Sequence, residues 1–184
     1  KQRIDQAALG ELLALAHERQ LPQAINSLFA GHEVNNTEQR AALHMALRGH
    51  APASQPHIAS DVKHTQQQMA EFVNAIHSGS WRGKDGESIT DIVNIGIGGS
   101  DLGPAMATAA LQDFHHPVIN CHFVSNVDAS QLDSVLAKLT PGRTLFVIVS
   151  KSFGTQETMQ NAQRAINWFK ASTDHDNDIA RHFV

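Results

Sequence analysis

The chain has 184 residues, of which 41% are hydrophobic and 17% are charged, a composition typical of a folded globular protein. Its net charge of -4 argues against a nucleic-acid surface, and no apolar run is long enough to cross a bilayer. No signal peptide is visible. The single cysteine, Cys121, lies in an apolar run that we expect to be a core strand. A lone thiol excludes a disulfide framework and fits a reducing compartment, so we expect a cytoplasmic protein.

The first third of the chain has the hydrophobic spacing of helices. Apolar residues at i, i+3, i+4 and i+7 over residues 9–16 predict a first helix. Pro22 is expected to begin a second, short helix, which ends near Gly31 because glycine commonly follows the last helical turn.

A third helix is predicted from Thr37, a favourable N-cap, to Arg48. Leu43 and Leu47 would form its buried face. The opposite face would carry a basic stripe, which we interpret as solvated, made of Arg40, His44 and Arg48.

A longer helix is expected after a loop over residues 49–60, with Ser60 or Asp61 as its cap and Gly79 at its end. Its predicted core face is made of Met69, Phe72, Val73 and Ile76. We therefore predict a helical segment over residues 1–85 and a second domain, with alternating strands and helices, over residues 86–184.

The second domain opens with a short apolar run, Ile92 to Ile97, which is typical of a buried parallel strand. Four glycines lie within eight positions, from Gly96 inside this run to Gly103. Ser100 as N-cap and Pro104 in the first turn are expected to begin an alanine-rich helix. A strand, a glycine turn and a helix start form an anion site, because bare backbone and free N–H groups face the ligand. The alternative is an ordinary strand-to-helix turn.

Two common nucleotide motifs are absent from this turn. A dinucleotide fingerprint requires glycine where this chain has Asp101, and no acidic residue follows at a strand end about 20 positions later. The Gly-Lys-Ser/Thr of a P-loop is also missing. The predicted ligand is therefore a smaller phosphorylated molecule, and a nucleotide-dependent dehydrogenase is the weaker alternative.

The strand-and-helix pattern then repeats, with apolar strands predicted at residues 118–124 and 144–149. Such alternation predicts a parallel sheet with helices on both faces. The second of these strands ends in a loop rich in hydroxyl groups that contains Ser150, Lys151, Ser152 and Thr155. Hydroxyl, amide and ammonium groups bind phosphate, and two such loops on one sheet favour one shared ligand. The alternative is a loop with a solvated lysine and a capping threonine.

Histidine is frequent, with 12 residues, and His115, His116 and His122 lie close together in the sequence. No His-x-x-x-His pair lies with a carboxylate in a predicted helix, as a zinc site on a helix would require. We therefore expect no metal site and interpret these residues as surface or linker histidines.

Residues 94–104, Asn-Ile-Gly-Ile-Gly-Gly-Ser-Asp-Leu-Gly-Pro, resemble a hallmark of the glucose-6-phosphate isomerase family. Residues 150–158 resemble the family's Ser-Lys-Thr-Phe-Thr-Thr-Gln-Glu-Thr, with two departures. Ser152 replaces a threonine and keeps the hydroxyl, whereas Gly154 replaces a threonine and loses it. The resemblance extends from about Asn36 to the last residue.

The resemblance implies a sugar-isomerase (SIS) fold, a three-layer αβα sandwich with a flavodoxin-like parallel sheet, preceded here by the helical segment. It also implies interconversion of glucose 6-phosphate and fructose 6-phosphate through an enediolate, without metal or cofactor, in a homodimer. The implied phosphate ligands are Ser150, Ser152 and Thr155. Lys151 and the Gly99–Ser100 segment would contact the sugar or its phosphate end. Glu157 would orient a catalytic histidine, or serve only as a first-turn acidic residue.

The family's proton-transferring glutamate, its arginine, its histidine and its ring-opening lysine have no counterpart in residues 1–184. We therefore expect the chain to be an amino-terminal fragment, inactive alone, that ends in a cut strand at Phe183-Val184. The alternative function is a non-catalytic sugar-phosphate sensor in which an SIS domain serves a regulator. No DNA-reading helix is evident in this sequence.

Overall fold

The computed structural model describes residues 4–173 and 175–184. The chain divides into two compact units, residues 1–71 and 72–184. From the sequence we place a domain boundary after residue 85, where helices are followed by alternating strands and helices. This boundary stays a prediction. None of the helices among the described residues is both long and apolar enough to span a membrane.

The first unit begins with helices α1 (Gln6–Glu18) and α2 (Leu21–Phe29). Asp5 caps α1, because its Oδ1 accepts a hydrogen bond from the Ala8 N–H at 2.8 Å. Gly31 follows α2 with a φ of 75°, a left-handed conformation that favours glycine. The first two predicted helices are therefore confirmed.

The helix predicted over Thr37–Arg48 is wrong. Asn35 and Arg40 form an isolated antiparallel bridge, and only His44–Arg48 is helical, as a 3-10 helix. The Asn35 Oδ1 accepts hydrogen bonds from the Thr37 hydroxyl at 2.9 Å and from the Glu38 N–H at 3.3 Å. Asparagine side chains of this kind compete with helix formation, so Thr37 belongs to a turn instead of a cap.

The predicted faces of that segment change with its conformation. Leu47 is 62% exposed, whereas Met45 and Ala46 are each only 5% exposed. The basic stripe of Arg40, His44 and Arg48 does not form on one helix, because Arg40 precedes the 3-10 helix.

Helix α3 (His57–His77) begins earlier than predicted, directly after Pro56. Ser60 is not its cap, because the Ser60 hydroxyl donates to the His57 carbonyl within the first turn at 2.7 Å. Of the predicted core face, Ile76 is buried, Phe72 is partly buried, and Met69 and Val73 are exposed.

The second unit contains strands β1 (Asp91–Ile95), β2 (Asn120–Val124) and β3 (Thr144–Ile148), which are parallel in the order β2-β1-β3. Helices α4 (Gly99–Ala110), α5 (Ala129–Leu136) and α6 (Gln156–Lys170) connect or follow them. The predicted α/β class with a parallel sheet is confirmed, and the strand order is that of a flavodoxin-like sheet.

Residues 182–184 extend the sheet on the outer side of β3. The Phe146 N–H donates to the His182 carbonyl at 2.7 Å, and the Val184 N–H donates to the Phe146 carbonyl at 3.0 Å. The bridge between Phe146 and Phe183 is parallel, so this segment continues the same ladder.

Each face of the sheet carries its own core, because successive strand residues point to opposite faces. One face packs against α5 and α6 through Val93, Ile95, Val124, Leu132, Leu136, Phe146 and Ala165. The other face has a core of Ile76, Ile89, Ile119 and Leu145. Helix α4 also contacts β1 and β2, so the sheet lies between two helical layers.

Cys121 is not a core residue, contrary to the prediction. It is exposed, because β2 is the outer strand beside β1. Partial desolvation raises the pKa of its thiol. The neighbouring His122 is half-buried, and its Nε2 lies within hydrogen-bond distance of the Asp91 Oδ1, at 2.9 Å.

His182 is fully buried, and both of its ring nitrogens are hydrogen-bonded. The Lys84 N–H donates to Nε2 at 2.8 Å, so Nε2 is unprotonated, while Nδ1–H donates to the Thr144 carbonyl at 2.6 Å. The imidazole also packs on the Phe169 ring, with centroids 4.4 Å apart. The neutral imidazole therefore links the backbone of Lys84 to the backbone of Thr144 in β3.

Acidification is expected to destabilise the chain through His182. Burial lowers the pKa of His182 below 6.5, although the Thr144 hydrogen bond and Asp178 oppose part of this shift. The unfolded chain therefore binds more protons, and the free energy of unfolding falls as pH drops through 6.5 toward the folded pKa. We expect a loss of about 1 kcal/mol, since protonated Nε2 leaves the Lys84 N–H without an acceptor.

Urea denaturation at pH 7.5 and pH 5 measures this loss. His182→Gln offers an acceptor that does not titrate, so it should show a smaller decrease than the wild type. An equal decrease in both proteins would mean that His182 does not contribute.

Candidate functional site

The two predicted ligand loops begin at the same edge of the sheet. Strands β1 and β3 are parallel neighbours, with Ile95 opposite Ile148, and the Val149 N–H donates to the Ile95 carbonyl at 2.9 Å. The chain leaves β1 at Gly96 and β3 at Ser150. Both loops therefore emerge at the carboxyl ends of adjacent strands.

This edge contains the topological switch point of the sheet. From β1 the chain crosses to β2 on one side, and from β2 it crosses to β3 on the other side of β1. Connections on opposite sides leave a crevice between β1 and β3, which is where open α/β sheets bind ligands. The two loops flank this crevice.

The first loop passes directly into α4. Gly98 occupies the N-cap with φ 61° and ψ -120°, a conformation that glycine adopts readily. Ser100, which we predict as the N-cap, is instead the second residue of the helix. Gly98 sets this register because its backbone conformation cannot belong to a helix.

Gly99 leaves open space in front of the helix. A Cβ atom placed on Gly99 would meet no heavy atom within 4 Å, and Gly98 and Gly99 are both exposed. The Ser100 and Asp101 N–H groups donate to the Ile97 and Gly98 carbonyls, at 3.3 and 3.1 Å, and the helix dipole favours an anion in front of Gly99. The start of α4 is therefore accessible to a phosphate or a sugar oxygen.

One further feature of α4 differs from the prediction, and its acidic side chain is buried. Pro104 is inside the helix, not in its first turn. Asp101 is in the first turn and is only 8% exposed, and its Oδ1 has no hydrogen-bond partner among the described residues.

The second loop is held by a hydrogen bond between its own residues. The Phe153 N–H donates to the Ser150 Oγ at 3.1 Å, and Phe153 has a left-handed φ of 50°. Ser152 and Lys151 are exposed in this loop. Thr155 occupies the N-cap of α6, but its side chain makes no capping hydrogen bond. Its hydroxyl is therefore not used to stabilise the helix.

Glu157 lies in the first turn of α6 and is exposed. The sheet thus brings together the segments that carry all the predicted site residues, namely Gly99, Ser100, Ser150, Lys151, Ser152, Thr155 and Glu157. Their binding and catalytic roles remain predictions.

Asn94 also lies in this region, and no sequence pattern predicts a role for it. It is buried at the end of β1, and its Nδ2 donates to the Ser100 carbonyl at 3.0 Å. The sequence does indicate that the Ser100 carbonyl needs such a donor. Pro104 follows Ser100 by four residues and has no N–H to donate to it.

Known proteins resemble this chain over its whole length. The family model of phosphoglucose isomerase matches residues 1–184. A glucose-6-phosphate isomerase of Shewanella loihica is 48% identical over 188 residues, and glucose-6-phosphate isomerase 1 of Neisseria meningitidis is 46% identical over 188 residues. Each alignment covers 100% of this chain and 34% of the relative. The chain therefore spans about a third of the length of these curated relatives.

A solved structure agrees with these matches. The crystal structure of a glucose-6-phosphate isomerase from Chlamydia trachomatis has a TM-score of 0.76 and 29% sequence identity. It covers 99% of this chain, which corresponds to 35% of the solved chain. On this sequence and structural evidence, the chain belongs to the phosphoglucose isomerase family.

Proposed function

We propose that this chain is the amino-terminal third of a glucose-6-phosphate isomerase, which interconverts glucose 6-phosphate and fructose 6-phosphate through an enediolate. Membership of the phosphoglucose isomerase family and 48% identity to a relative of that name support the proposal. The main structural support is that two loops rich in glycine and hydroxyl groups flank one switch-point crevice.

The crevice has the chemistry that a sugar phosphate requires. In the proposed complex, the hydroxyls of Ser150, Ser152 and Thr155 donate to the phosphate oxygens, as short polar side chains do at phosphate sites. The Gly99–Ser100 segment offers the Gly99 amide and the Ser100 hydroxyl to the sugar or its phosphate end. The exposed Lys151 adds a positive charge that offsets the phosphate.

The proton transfer itself is assigned to residues outside this chain. In the proposed mechanism, the sugar ring opens and a glutamate moves a proton between C2 and C1, while an arginine stabilises the enediolate. Glu157 acts only in support, by orienting a histidine of the complete active site. We propose that no metal or organic cofactor takes part, and that the enzyme is a cytoplasmic homodimer.

A coupled dehydrogenase assay tests the proposed activity. The full-length protein should convert fructose 6-phosphate to glucose 6-phosphate, whereas the purified 184-residue chain should not. A full-length protein that binds fructose 6-phosphate without turnover would favour a sugar-phosphate sensor instead. Turnover by the 184-residue chain alone would contradict the assignment of the catalytic groups.

Replacing Lys151 with alanine is expected to weaken fructose 6-phosphate binding by about 1.5–3 kcal/mol, the range for a hydrogen bond to a charged group. Calorimetry on the full-length protein measures this change. Lys138→Ala removes the same charge in the segment that follows α5, close to the opposite edge of the sheet, and should bind normally. Equal affinity for both variants would show that Lys151 does not contact the ligand.

A further inference from the structure

The Asn94 side chain links the first turn of α4 to β1. Asn94 lies on the α4 side of the sheet and is only 8% exposed. Its Nδ2 donates a hydrogen bond to the Ser100 carbonyl at 3.0 Å. Strand and helix are therefore joined at the residue whose hydroxyl we assign to the ligand.

Pro104 makes this carbonyl available. In a regular helix, the N–H of residue 104 would donate to the carbonyl of residue 100, but proline has no N–H. Its ring also presses against the carbonyl four residues earlier and turns it outward. The Ser100 carbonyl consequently needs a donor from outside the helix, and Asn94 supplies it.

Gly96 allows the close approach that this hydrogen bond needs. A Cβ atom on Gly96 would lie 2.7 Å from the Ser100 Cβ and 2.9 Å from the Ser100 carbonyl oxygen, both too close for real contacts. Glycine at this position therefore lets the first turn of α4 lie directly against the end of β1. Asn94, Gly96 and Pro104 together fix the backbone of Ser100.

We propose that Asn94 is a positioning residue for the sugar-phosphate site. By holding the Ser100 backbone, it sets the direction of the Ser100 hydroxyl and of the neighbouring Gly99 amide toward the crevice. This inference rests on the proposed function. Asn94 acts through Ser100, so its loss changes ligand binding through the geometry of the loop.

The pairing with Pro104 provides a rescue test in the full-length protein. Asn94→Leu should weaken fructose 6-phosphate binding roughly tenfold, because the Ser100 carbonyl is left without a donor. Adding Pro104→Ala restores a helical N–H for that carbonyl, so the double variant should recover most of the affinity. Pro104→Ala alone is the reference for the double variant, because it shows the effect of the added helical N–H while Asn94 is still present.

Amide hydrogen exchange in the first turn of α4 gives a second readout, independent of the ligand. Exchange should be faster in Asn94→Leu and slower again in the double variant. If Asn94→Leu does not fold, Asn94→Ala removes the donor without adding bulk or charge, and the same rescue applies.

Three results separate this proposal from the proposed function. A wild-type protein that binds fructose 6-phosphate, with Asn94→Leu binding equally well, overturns the positioning role alone. Failure of Pro104→Ala to rescue a weakened Asn94→Leu also overturns it. A wild-type protein that neither binds nor converts fructose 6-phosphate overturns the proposed function, and the positioning role with it.

Discussion

Replacing Gly99 with valine is expected to weaken fructose 6-phosphate binding by the full-length protein roughly a hundredfold, since about two hydrogen bonds to charged groups would be blocked. A Cβ at this position meets no protein atom within 4 Å, so the valine side chain would occupy the space in front of α4 that we assign to the ligand. The same open space means that folding should tolerate the change, within about 1 kcal/mol.

Calorimetry and urea denaturation on the same preparation separate these two effects. Gly10→Val is the matched control, because Gly10 also lies within a helix and also has open space around its Cβ position. The control should bind fructose 6-phosphate normally. A Gly99→Val protein that binds as the wild type does would show that the start of α4 is not part of the site.

Replacing Gly83 with alanine is expected to destabilise the protein by about 3 kcal/mol or more, since overpacking against atoms that cannot move is costly. The added Cβ would overlap with the Gly142 carbonyl and lie 2.8 Å from the His182 Cε1. The Gly142 carbonyl is backbone, and His182 is fixed by two hydrogen bonds. Neither neighbour can therefore move away cheaply.

Gly86→Ala separates overlap from backbone strain. Gly86 has a left-handed φ of 76°, but a Cβ there meets nothing within 4 Å, so the substitution should cost only about 1 kcal/mol. Thermal or urea unfolding of both variants compares the two costs. If Gly83→Ala is no less stable than Gly86→Ala, the close packing around Gly83 is not as described.

The strands of the sheet could be predicted because each is a short, continuous apolar run, as buried parallel strands are. The three runs correspond to β1, β2 and β3, although their ends differ by a few residues. The apolar runs do not predict where in the sheet each strand lies. The apolar run around Cys121 predicts a core position, but Cys121 is exposed because β2 lies outside β1.

Local hydrogen bonds explain why one predicted helix does not form. The segment from Thr37 to Arg48 has helical spacing, yet the Asn35 side chain accepts hydrogen bonds from Thr37 and Glu38 and stabilises a turn. Hydrophobic periodicity does not predict such contacts, because it does not show whether a backbone N–H will bond to a helical carbonyl or to a nearby side chain.

The sequence predicts the two loops of the candidate site, but it does not predict the hydrogen bond that holds the first loop in place. Glycines and hydroxyl residues after two strands indicated both loops, and the parallel register of β1 and β3 brings those loops to one edge. The contact between Asn94 and Ser100 depends on how α4 lies on β1, which no local pattern specifies.

A crystal structure of the full-length protein with bound fructose 6-phosphate tests the central claim most directly. We expect the phosphate within hydrogen-bond distance of Ser150, Ser152 and Thr155, and the ligand in contact with the Gly99–Ser100 segment across the same crevice. A ligand bound elsewhere, or in contact with only one of the two loops, would contradict the account.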